Sequence, residues 1–244
     1  MITFIDTATT LAALVDAHPS LARELEQRGL DYCCGGRRSL AESCAEAGLD
    51  PKRTADELLA AITSVEPAPW TSFGAVELID HLVATHHAYL WAEMPRLSAL
   101  AEKVDGVHAA RHPELADIRR CWEEIRADME PHLMKEERVL FPMARELAAS
   151  HAAAGGTPSF HCGTLRNPIS VMLSEHDRMG ELLALMRRLT DTYRAPADGC
   201  ASYTALFDGL MQFEMDTHLH VHKENNVLFP LIVRLEAESA AGVC

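Results

Sequence analysis

The sequence predicts an all-α protein in which an antiparallel four-helix bundle follows a small helical N-terminal unit. After residue 73, four long segments repeat apolar residues at three- and four-residue steps, which indicates helices with one buried face. No segment alternates apolar and polar residues convincingly enough to predict a strand. Short connections join the four segments, and helices joined in this way pack antiparallel. We therefore expect an N-terminal domain over 1–65, a linker over 66–73 and the bundle over 74–244.

Helix signals divide the N-terminal domain into four short helices. Asp6-Thr7 offers a cap for the first, and Asp50-Pro51 opens the fourth with a capping residue and a proline at the first helical position. The loop Asp31-Tyr-Cys-Cys-Gly-Gly36 separates the second helix from the third. Two prolines and little periodicity after the fourth helix indicate a linker.

The bundle helices are expected over about 74–104, 113–149, 167–193 and 200–240. Prolines or glycines lie in or beside each connection, which supports these ends. Pro95 lies inside the first helix, where its missing N–H and its ring are expected to kink or interrupt the helix.

A duplicated motif lies on the second and fourth bundle helices. The pattern H-x-x-K-E-x-x-V-L-F-P begins at His132 and again at His220, with Glu136 and Glu224 four residues after each histidine. Residues i and i+4 lie one above the other on a helix, so each imidazole and its carboxylate should point the same way. Such a repeat suggests two halves of one metal site.

The repeat extends to the first and third helices, which carry His87 and His176 on their apolar stripes. The spacing from His87 to His132 is 45 residues, and that from His176 to His220 is 44. Six potential ligands could therefore converge at one depth of the bundle. Burying them costs free energy unless something pairs with them, and a dinuclear metal centre would pair with all six.

Other polar residues near these positions are expected to play lesser roles. His86 lies on a different helix face from the apolar stripe, so it is the less favoured ligand. His218 and His222 are expected on the surface, although their spacing could form a surface metal clip. Glu175 and Asp128 are candidates to orient imidazoles by accepting a hydrogen bond from the ring nitrogen that does not bind metal. The alternative for each is an ordinary solvated carboxylate.

The ligand set indicates which metal would bind. Four imidazoles and two carboxylates, without a thiolate, suit iron or manganese, and zinc stays open. Glu136 and Glu224 are the natural bridges between two cations about 3.5–4 Å apart. The expected cofactor is therefore a pair of non-haem iron ions, oxo- or hydroxo-bridged when both are ferric.

Composition bounds the class of protein. A net charge of −14 over 244 residues argues against nonspecific binding to nucleic acid or anionic membranes. No apolar run reaches the length of a membrane span, and the N-terminus lacks the early basic residues of a secretory signal. Seven irregularly spaced cysteines suggest reduced thiols and a cytoplasmic location. The protein is expected to be a monomer or a homodimer.

Two adjacent thiols are the remaining candidates for chemistry. Cys33 and Cys34 precede two glycines and the basic pair Arg37-Arg38, and nearby cations and a helix N-terminus should lower a thiol pKa. A redox relay, a transient iron ligand and a docking contact are open roles, and a buried structural pair is the alternative. Adjacent cysteines close only a strained disulfide, which would be easily reduced.

These motifs resemble the hemerythrin-like di-iron bundle and, more closely, the repair-of-iron-centres family, also called the ScdA/YtfE type. Asp31–Gly36 is similar to the Cys-Cys-Gly-Gly motif of that family's N-terminal domain. The segments around His132, His176 and His220 are similar to its metal-binding helices, and the resemblance covers nearly the whole chain. Oxygen-carrying hemerythrins use five histidines, so the set of four favours the repair type over oxygen transport.

The resemblance implies one iron held by His87 and His132 and the other by His176 and His220, with two bridging glutamates. It also implies a protein that restores iron–sulfur clusters damaged by nitric oxide or peroxide, by supplying iron to damaged iron–sulfur proteins. Two alternatives stay open. One is a redox enzyme that reduces nitric oxide or peroxide at the same centre, and the other is a sensor or store that binds O2, nitric oxide or iron.

Overall fold

The structure is a computed structural model that describes residues 4–62, 68–153 and 156–241. Within these ranges the regular elements are helical, apart from one isolated β-bridge between Thr10 and Ser39. The predicted all-α class is confirmed. Among the described helices, none combines the length and the apolarity that crossing a membrane requires. The proposed domain boundary at residues 65 and 66 lies outside the described residues, and the domain limits stay a prediction.

Four short helices form the N-terminal domain, and three of them begin at a side chain that caps the helix. Thr10, Ser39 and Asp50 accept hydrogen bonds from backbone N–H groups in the first turn, which satisfies donors that have no partner inside the helix. The first helix thus starts later than the expected cap at Asp6-Thr7. The four are α1 (Leu11–Ala17), α2 (Leu21–Gln27), α3 (Leu40–Ala47) and α4 (Pro51–Ala61).

The bundle contains four long helical rods, three of which are interrupted by a single π turn. In chain order the elements are α5 (Ala75–Leu82), a π turn (Val83–His87), α6 (Ala88–His108), α7 (Leu115–Lys135), a π turn (Glu136–Leu140), α8 (Phe141–Ala152), α9 (Arg166–Leu189), α10 (Ala201–Lys223), a π turn (Glu224–Leu228) and α11 (Phe229–Ala241). Of the kink or interruption expected at Pro95, the interruption is wrong, because α6 continues through this residue and the helix is broken earlier, at the first π turn.

The π turns lie at the predicted ligands. The backbone N–H of Phe141 donates to the carbonyl of Glu136, and that of Phe229 donates to Glu224, five residues back instead of four. Each turn therefore accommodates one extra residue, and such turns often occur at functional sites. The two copies of the duplicated motif have this turn at the same position, beginning at the glutamate.

Two hydrophobic clusters fill the bundle, one on each side of the predicted ligands. On each rod the ligand lies where one cluster ends and the other begins. On the first rod, for example, Leu82 belongs to one cluster and Leu90 to the other, with His87 between them. Met172 and Met179 flank the third rod's histidine in the same way. The six candidate ligands therefore lie together in one layer between the two apolar clusters.

The N-terminal domain packs directly on α10. Val221 joins the hydrophobic core of that domain, and the carboxylate of Asp16 accepts hydrogen bonds from His222 Nε2 (3.0 Å) and Trp70 Nε1 (3.1 Å). The expectation that His218 and His222 lie on the surface is wrong. His222 is completely buried and His218 is partly buried beside Glu26, because the N-terminal domain covers this face of the bundle.

Replacing Asp16 by alanine should lower the free energy of unfolding by about 1–3 kcal/mol, since two buried N–H donors lose their acceptor. Chemical denaturation followed by circular dichroism measures this. Asp80→Ala is the matched control, because Asp80 is largely exposed and pairs with Arg145 at the surface, where ion pairs contribute little. Equal destabilisation by the two variants would contradict the interdomain role of Asp16.

Candidate metal centre

The structure brings the six predicted side chains together in one buried layer. His87 ends the first π turn, His176 lies in the middle of α9, and the remaining four come from the two copies of the repeated motif. All six are at most 5% exposed. They form two groups of four potential ligands that share both glutamates: His87, Glu136, His220 and Glu224 in one, and His132, Glu136, His176 and Glu224 in the other.

Within each group two imidazoles face each other. Nε2 of His87 lies 3.2 Å from Nε2 of His220, and Nε2 of His132 lies 3.1 Å from Nε2 of His176. Oε2 of Glu136 lies 3.5 Å from Nε2 of both His87 and His132, so this carboxylate reaches both imidazole pairs.

The second carboxylate spans the two pairs as well. Oε1 of Glu224 lies 3.1 Å from Nε2 of His220, and its Oε2 lies 3.2 Å from Nε2 of His176. One oxygen thus faces each imidazole pair, which is the geometry in which a carboxylate can bridge two cations.

The expected assignment of histidines to ions is wrong. It pairs His87 with His132 and His176 with His220, whereas the structure pairs His87 with His220 and His132 with His176. Because α6 packs against both α10 and α7, helix adjacency alone allows either pairing, and the imidazoles that face each other are those of His87 with His220 and His132 with His176. Each group therefore takes one histidine from each half of the repeat, rather than both from one helical hairpin.

Three of the four histidines are oriented through their second ring nitrogen. Nδ1 of His87 donates to Glu137 Oε1 (2.9 Å), and Nδ1 of His132 donates to Glu175 Oε2 (2.9 Å). These acceptors hold the proton on Nδ1, which leaves the lone pair of Nε2 directed at the centre. The expected contact of Glu175 with an imidazole is confirmed.

The third orienting contact was not predicted from the sequence. Nδ1 of His176 donates to Oδ1 of Asn225 at 2.8 Å. Asn225 and Glu137 occupy the same position of the repeated motif, directly after the glutamate, and this shared position is the signal that could have identified both. Asp128 is instead an ordinary solvated carboxylate, because it pairs with Arg178 at the surface.

The donor set of this layer fits a pair of cations. The Nε2 atoms of the facing imidazoles lie 3.1 and 3.2 Å apart. For His132 and His176, whose protons are held on Nδ1, two lone pairs meet, an arrangement that is repulsive unless a cation lies between them. The carboxylate oxygens of Glu136 and Glu224 are buried and accept no well-formed hydrogen bond from the described residues. Buried charges of this kind are normally paired or coordinate metals.

Electrostatics agrees with this interpretation. Burial lowers the pKa of His132, and it lowers that of His220 to about 4, so both imidazoles stay neutral and able to coordinate. Burial and the neighbouring carboxylate of Glu224 raise the pKa of Glu136 well above its usual value. A bound cation would oppose this rise by stabilising the carboxylate.

Comparison with known proteins identifies the family. Residues 78–232 match the hemerythrin HHE cation binding domain, and residues 7–62 match the ScdA N-terminal domain, described as a domain of unknown function. The chain is 32% identical over 220 residues to the iron-sulfur cluster repair protein YtfE of Escherichia coli O157:H7, covering 90% of this chain and 94% of that protein. The identity and coverage are the same for the YtfE of Enterobacter sp. strain 638, and the identity is 31% for that of Shigella boydii.

This chain belongs to the hemerythrin-like, YtfE-type family. The match to the HHE domain contains all six centre residues, and the match to the ScdA domain contains the Cys-Cys-Gly-Gly loop. The predicted family is thus confirmed.

His86 lies next to the metal centre but belongs to neither group of potential ligands. Its Nδ1 donates to Asp216 Oδ1 (2.9 Å), its Nε2 lies 2.7 Å from Lys223 Nζ, and its ring stacks on that of His220 at 5.5 Å. Both ring nitrogens are therefore occupied, as expected for a histidine that is not a ligand. The burial of Lys223, whose ammonium also lies over the Trp70 ring, was not predicted.

The thiol pair of the ScdA-type domain lies in a loop held by Asp31. Oδ1 of Asp31 accepts the backbone N–H groups of Cys33 (3.0 Å) and Cys34 (2.9 Å), and it also lies 3.2 Å from Cys33 Sγ. Gly36 is needed here, because a Cβ at this position would lie 2.3 Å from the carbonyl oxygen of Tyr32.

The expected thiolate character of Cys33 is wrong. Its pKa is raised well above the usual value by its contact with Cys34, by burial and by the charge of Asp31. The nearby cations do not compensate, because Arg38 pairs with Glu46 instead. Cys33 is therefore a protonated, buried thiol in this arrangement, while Cys34 is half-buried.

The thiol loop and the metal centre are joined by one side chain. Asn225 accepts from His176 through Oδ1, and its Nδ2 donates to the carbonyl of Cys33 at 3.4 Å. Asn226 donates to the same carbonyl at 3.0 Å. A single amide therefore separates the Cys33 backbone from an imidazole of the centre, so the two halves of the family signature meet at one place.

Glu175→Gln is expected to weaken iron binding about 10- to 100-fold, because the charged acceptor that orients His132 is lost. The rate of iron removal by a competing chelator measures this. Asp128→Asn is the matched control, since Asp128 lines the same cavity without touching a histidine of the centre. Similar rates for both variants and for the unaltered protein would rule out the orienting role of Glu175.

Proposed function

We propose that this protein binds two iron ions in the HHE centre and repairs iron–sulfur clusters damaged by nitrosative or oxidative stress, by donating iron. Two relatives, matched by this chain over 94% of their length, are named iron-sulfur cluster repair proteins, which supports the repair role. The observation that carries the proposal is the pair of imidazole–carboxylate groups that share two buried glutamates. We propose that the clients are iron–sulfur proteins with incomplete clusters, in the cytoplasm that the cysteine pattern predicts.

In this proposal His87 and His220 would hold one iron and His132 and His176 the other, and both ions would share Glu136 and Glu224. Iron supplies two accessible oxidation states and a transferable ion. The protein supplies neutral imidazoles, oriented from behind by Glu137, Glu175 and Asn225, within an apolar interior.

The donor set suits an ion that must be given up. No thiolate lies within either group of ligands, and each carboxylate is shared rather than dedicated to one ion. A cavity of about 190 Å³ also reaches the side chains of His132 and His176 from the surface beside Lys135 and Glu175. We infer that iron leaves, and small molecules such as nitric oxide, O2 or peroxide enter, through this cavity.

In this proposal Cys33 and Cys34 would bind iron transiently during its transfer. Donor atoms of Asp31, Cys33 and Cys34 lie within 4.8 Å of one another, which is close enough to share one ion. Of the three open roles, transient coordination is the one that this clustering favours, since an approaching Fe²⁺ would itself promote loss of the thiol protons.

The direct test loads the protein with iron and incubates it with a dehydratase whose [4Fe–4S] cluster has lost iron. Recovery of dehydratase activity with matching loss of iron from the protein supports donation. Turnover of nitric oxide or peroxide with an electron donor, without iron loss, would favour the redox enzyme. Reversible binding of a small ligand with neither effect would favour a sensor or store.

A further inference from the structure

A second thiol lies far from the metal centre, at the opposite end of α10. Cys200 directly precedes this helix, and His220 lies twenty residues further on, about 30 Å away at 1.5 Å per helical residue. Cys200 is exposed to solvent. Neither the repeated motif nor the Cys-Cys-Gly-Gly loop includes a residue at this end of the bundle.

Cys200 is paired with a buried imidazole. Nε2 of His108, the last residue of α6, lies 3.2 Å from Cys200 Sγ. His108 is 3% exposed, and its Nδ1 has no hydrogen-bond partner among the described residues. Among the described residues, the imidazole therefore forms its hydrogen bond with the sulfur atom of Cys200, and its Nδ1 is shielded from bulk water.

Neighbouring rings hold this imidazole in place. Tyr203 packs edge-on against His108 with ring centroids 5.4 Å apart, and His112 does so at 6.2 Å. His112 is fixed in turn by Glu114 and Asp198, each 3.0 Å from one of its ring nitrogens. The orientation of His108 toward the sulfur is thus set by residues from two stretches of the chain, 112–114 and 198–203.

The surroundings favour the thiolate form of Cys200. The hydrogen bond with His108, and then the backbone N–H groups of Tyr203 and Ser202 at the start of α10, lower the pKa of the thiol to about 7. A helix N-terminus has this effect on a cysteine in general. The other titratable or charged groups around the pair are His112, Arg111, Glu114, Asp198 and Tyr203.

None of the other described cysteines has an imidazole within hydrogen-bond distance. Cys34 is half-buried, with its sulfur 3.9 Å from that of Cys33. Cys33, Cys44 and Cys121 are buried, and burial raises the pKa of Cys121 to about 11. Cys162 is half-buried, and its thiol donates to the carbonyl of Thr164. Cys162 is therefore a suitable internal reference for a thiol without an imidazole partner.

We propose that Cys200 and His108 form a peroxide-reactive pair, in which Cys200 is oxidised to a sulfenic acid. The thiol proton passes to Nε2 of His108, and the thiolate attacks one oxygen of a hydroperoxide. The S–O bond forms as the O–O bond breaks, so sulfur is oxidised by two electrons and the peroxide is reduced. The leaving oxygen takes the proton from Nε2 and departs as water or an alcohol. The balance is one thiol and one hydroperoxide giving one sulfenic acid and one water or alcohol.

Site-resolved labelling of the full-length, iron-loaded protein tests this pair. Iodoacetamide is applied from pH 5 to 9, and peptide mass spectrometry reads the rate at each cysteine. Cys200 should react with a midpoint near pH 7 and, at that pH, about tenfold faster than Cys162. His108→Gln should move the midpoint toward about 8.5, the ordinary value for a thiol, whereas the matched control His112→Gln should move it less.

Peroxide trapping is the second measurement. Hydrogen peroxide in the presence of dimedone should place the adduct on Cys200, and His108→Gln should reduce its yield. A Cys200 that titrates together with Cys162, or that carries no adduct while other cysteines do, would overturn the proposal. Because both comparisons are made within the unaltered protein, they decide the question even if His108→Gln does not fold.

Discussion

Glu136→Ala and Glu224→Ala are each expected to lower the iron content from two ions per chain to one or none. Each carboxylate reaches both imidazole pairs, so its removal takes a ligand from both ions. The histidines that remain would then face two cations with a single bridging group. Metal analysis of protein purified from iron-replete cells measures the content, and the absorption spectrum of a bridged ferric pair should disappear in parallel.

A loss of iron must be distinguished from a loss of folding. Glu136→Gln, which removes the carboxyl group and nearly preserves shape, should not lower the melting temperature of metal-free protein, because neither carboxyl oxygen has a well-formed hydrogen-bond partner among the described residues. Glu146→Ala is the control for the same helical rod, since this exposed carboxylate lies away from the centre. Full iron occupancy in both Glu136→Ala and Glu224→Ala would remove the bridging assignment.

Cys33→Ser is expected to abolish or strongly impair cluster repair while leaving the iron spectrum intact. The Sγ atom of Cys33 belongs to the Asp31 cluster and not to either imidazole group, so the resident iron does not depend on it. Only the backbone carbonyl of Cys33 contacts Asn225, and serine keeps that carbonyl. Reactivation of a damaged dehydratase and the absorption spectrum are measured on the same preparation.

Cys162→Ser is the matched control, because this half-buried thiol lies outside both sites. It should retain both the spectrum and repair. Loss of iron from Cys33→Ser would show that the thiol is a ligand of the resident centre. Full repair activity in the same variant would show that the thiol pair is structural.

The six centre residues could be predicted because the information is local and duplicated. An i, i+4 spacing places His132 and Glu136 on one helix face whatever the helix packs against. The second copy, His220 and Glu224, has the same spacing and independently predicts the same arrangement. The positions of His87 and His176 followed from their spacings of 45 and 44 residues to the second histidine of each hairpin, because nearly equal hairpin lengths place corresponding residues at similar depth.

Other features of the centre depended on contacts between distant segments. The grouping of His87 with His220 depends on which imidazoles face each other in the packed bundle, and hairpin spacing does not determine that. The residue that each π turn inserts was not predicted, although Pro142 and Pro230 lie two residues after two of these turns. Asn225 could have been identified from its place in the repeat, but its second contact, with Cys33, required the N-terminal domain to be in place.

The sequence by itself predicted the helical class and the six candidate ligands, because periodicity, spacing and duplication are properties of the chain alone, and its motifs carried the resemblance to the family. Tertiary structure decided which imidazoles face each other, which apparent surface residues are buried and which thiol meets an imidazole. His222 and the Cys200–His108 pair show why: burial and pKa depend on what lies across a gap in space, and residues far apart in the chain supply those neighbours.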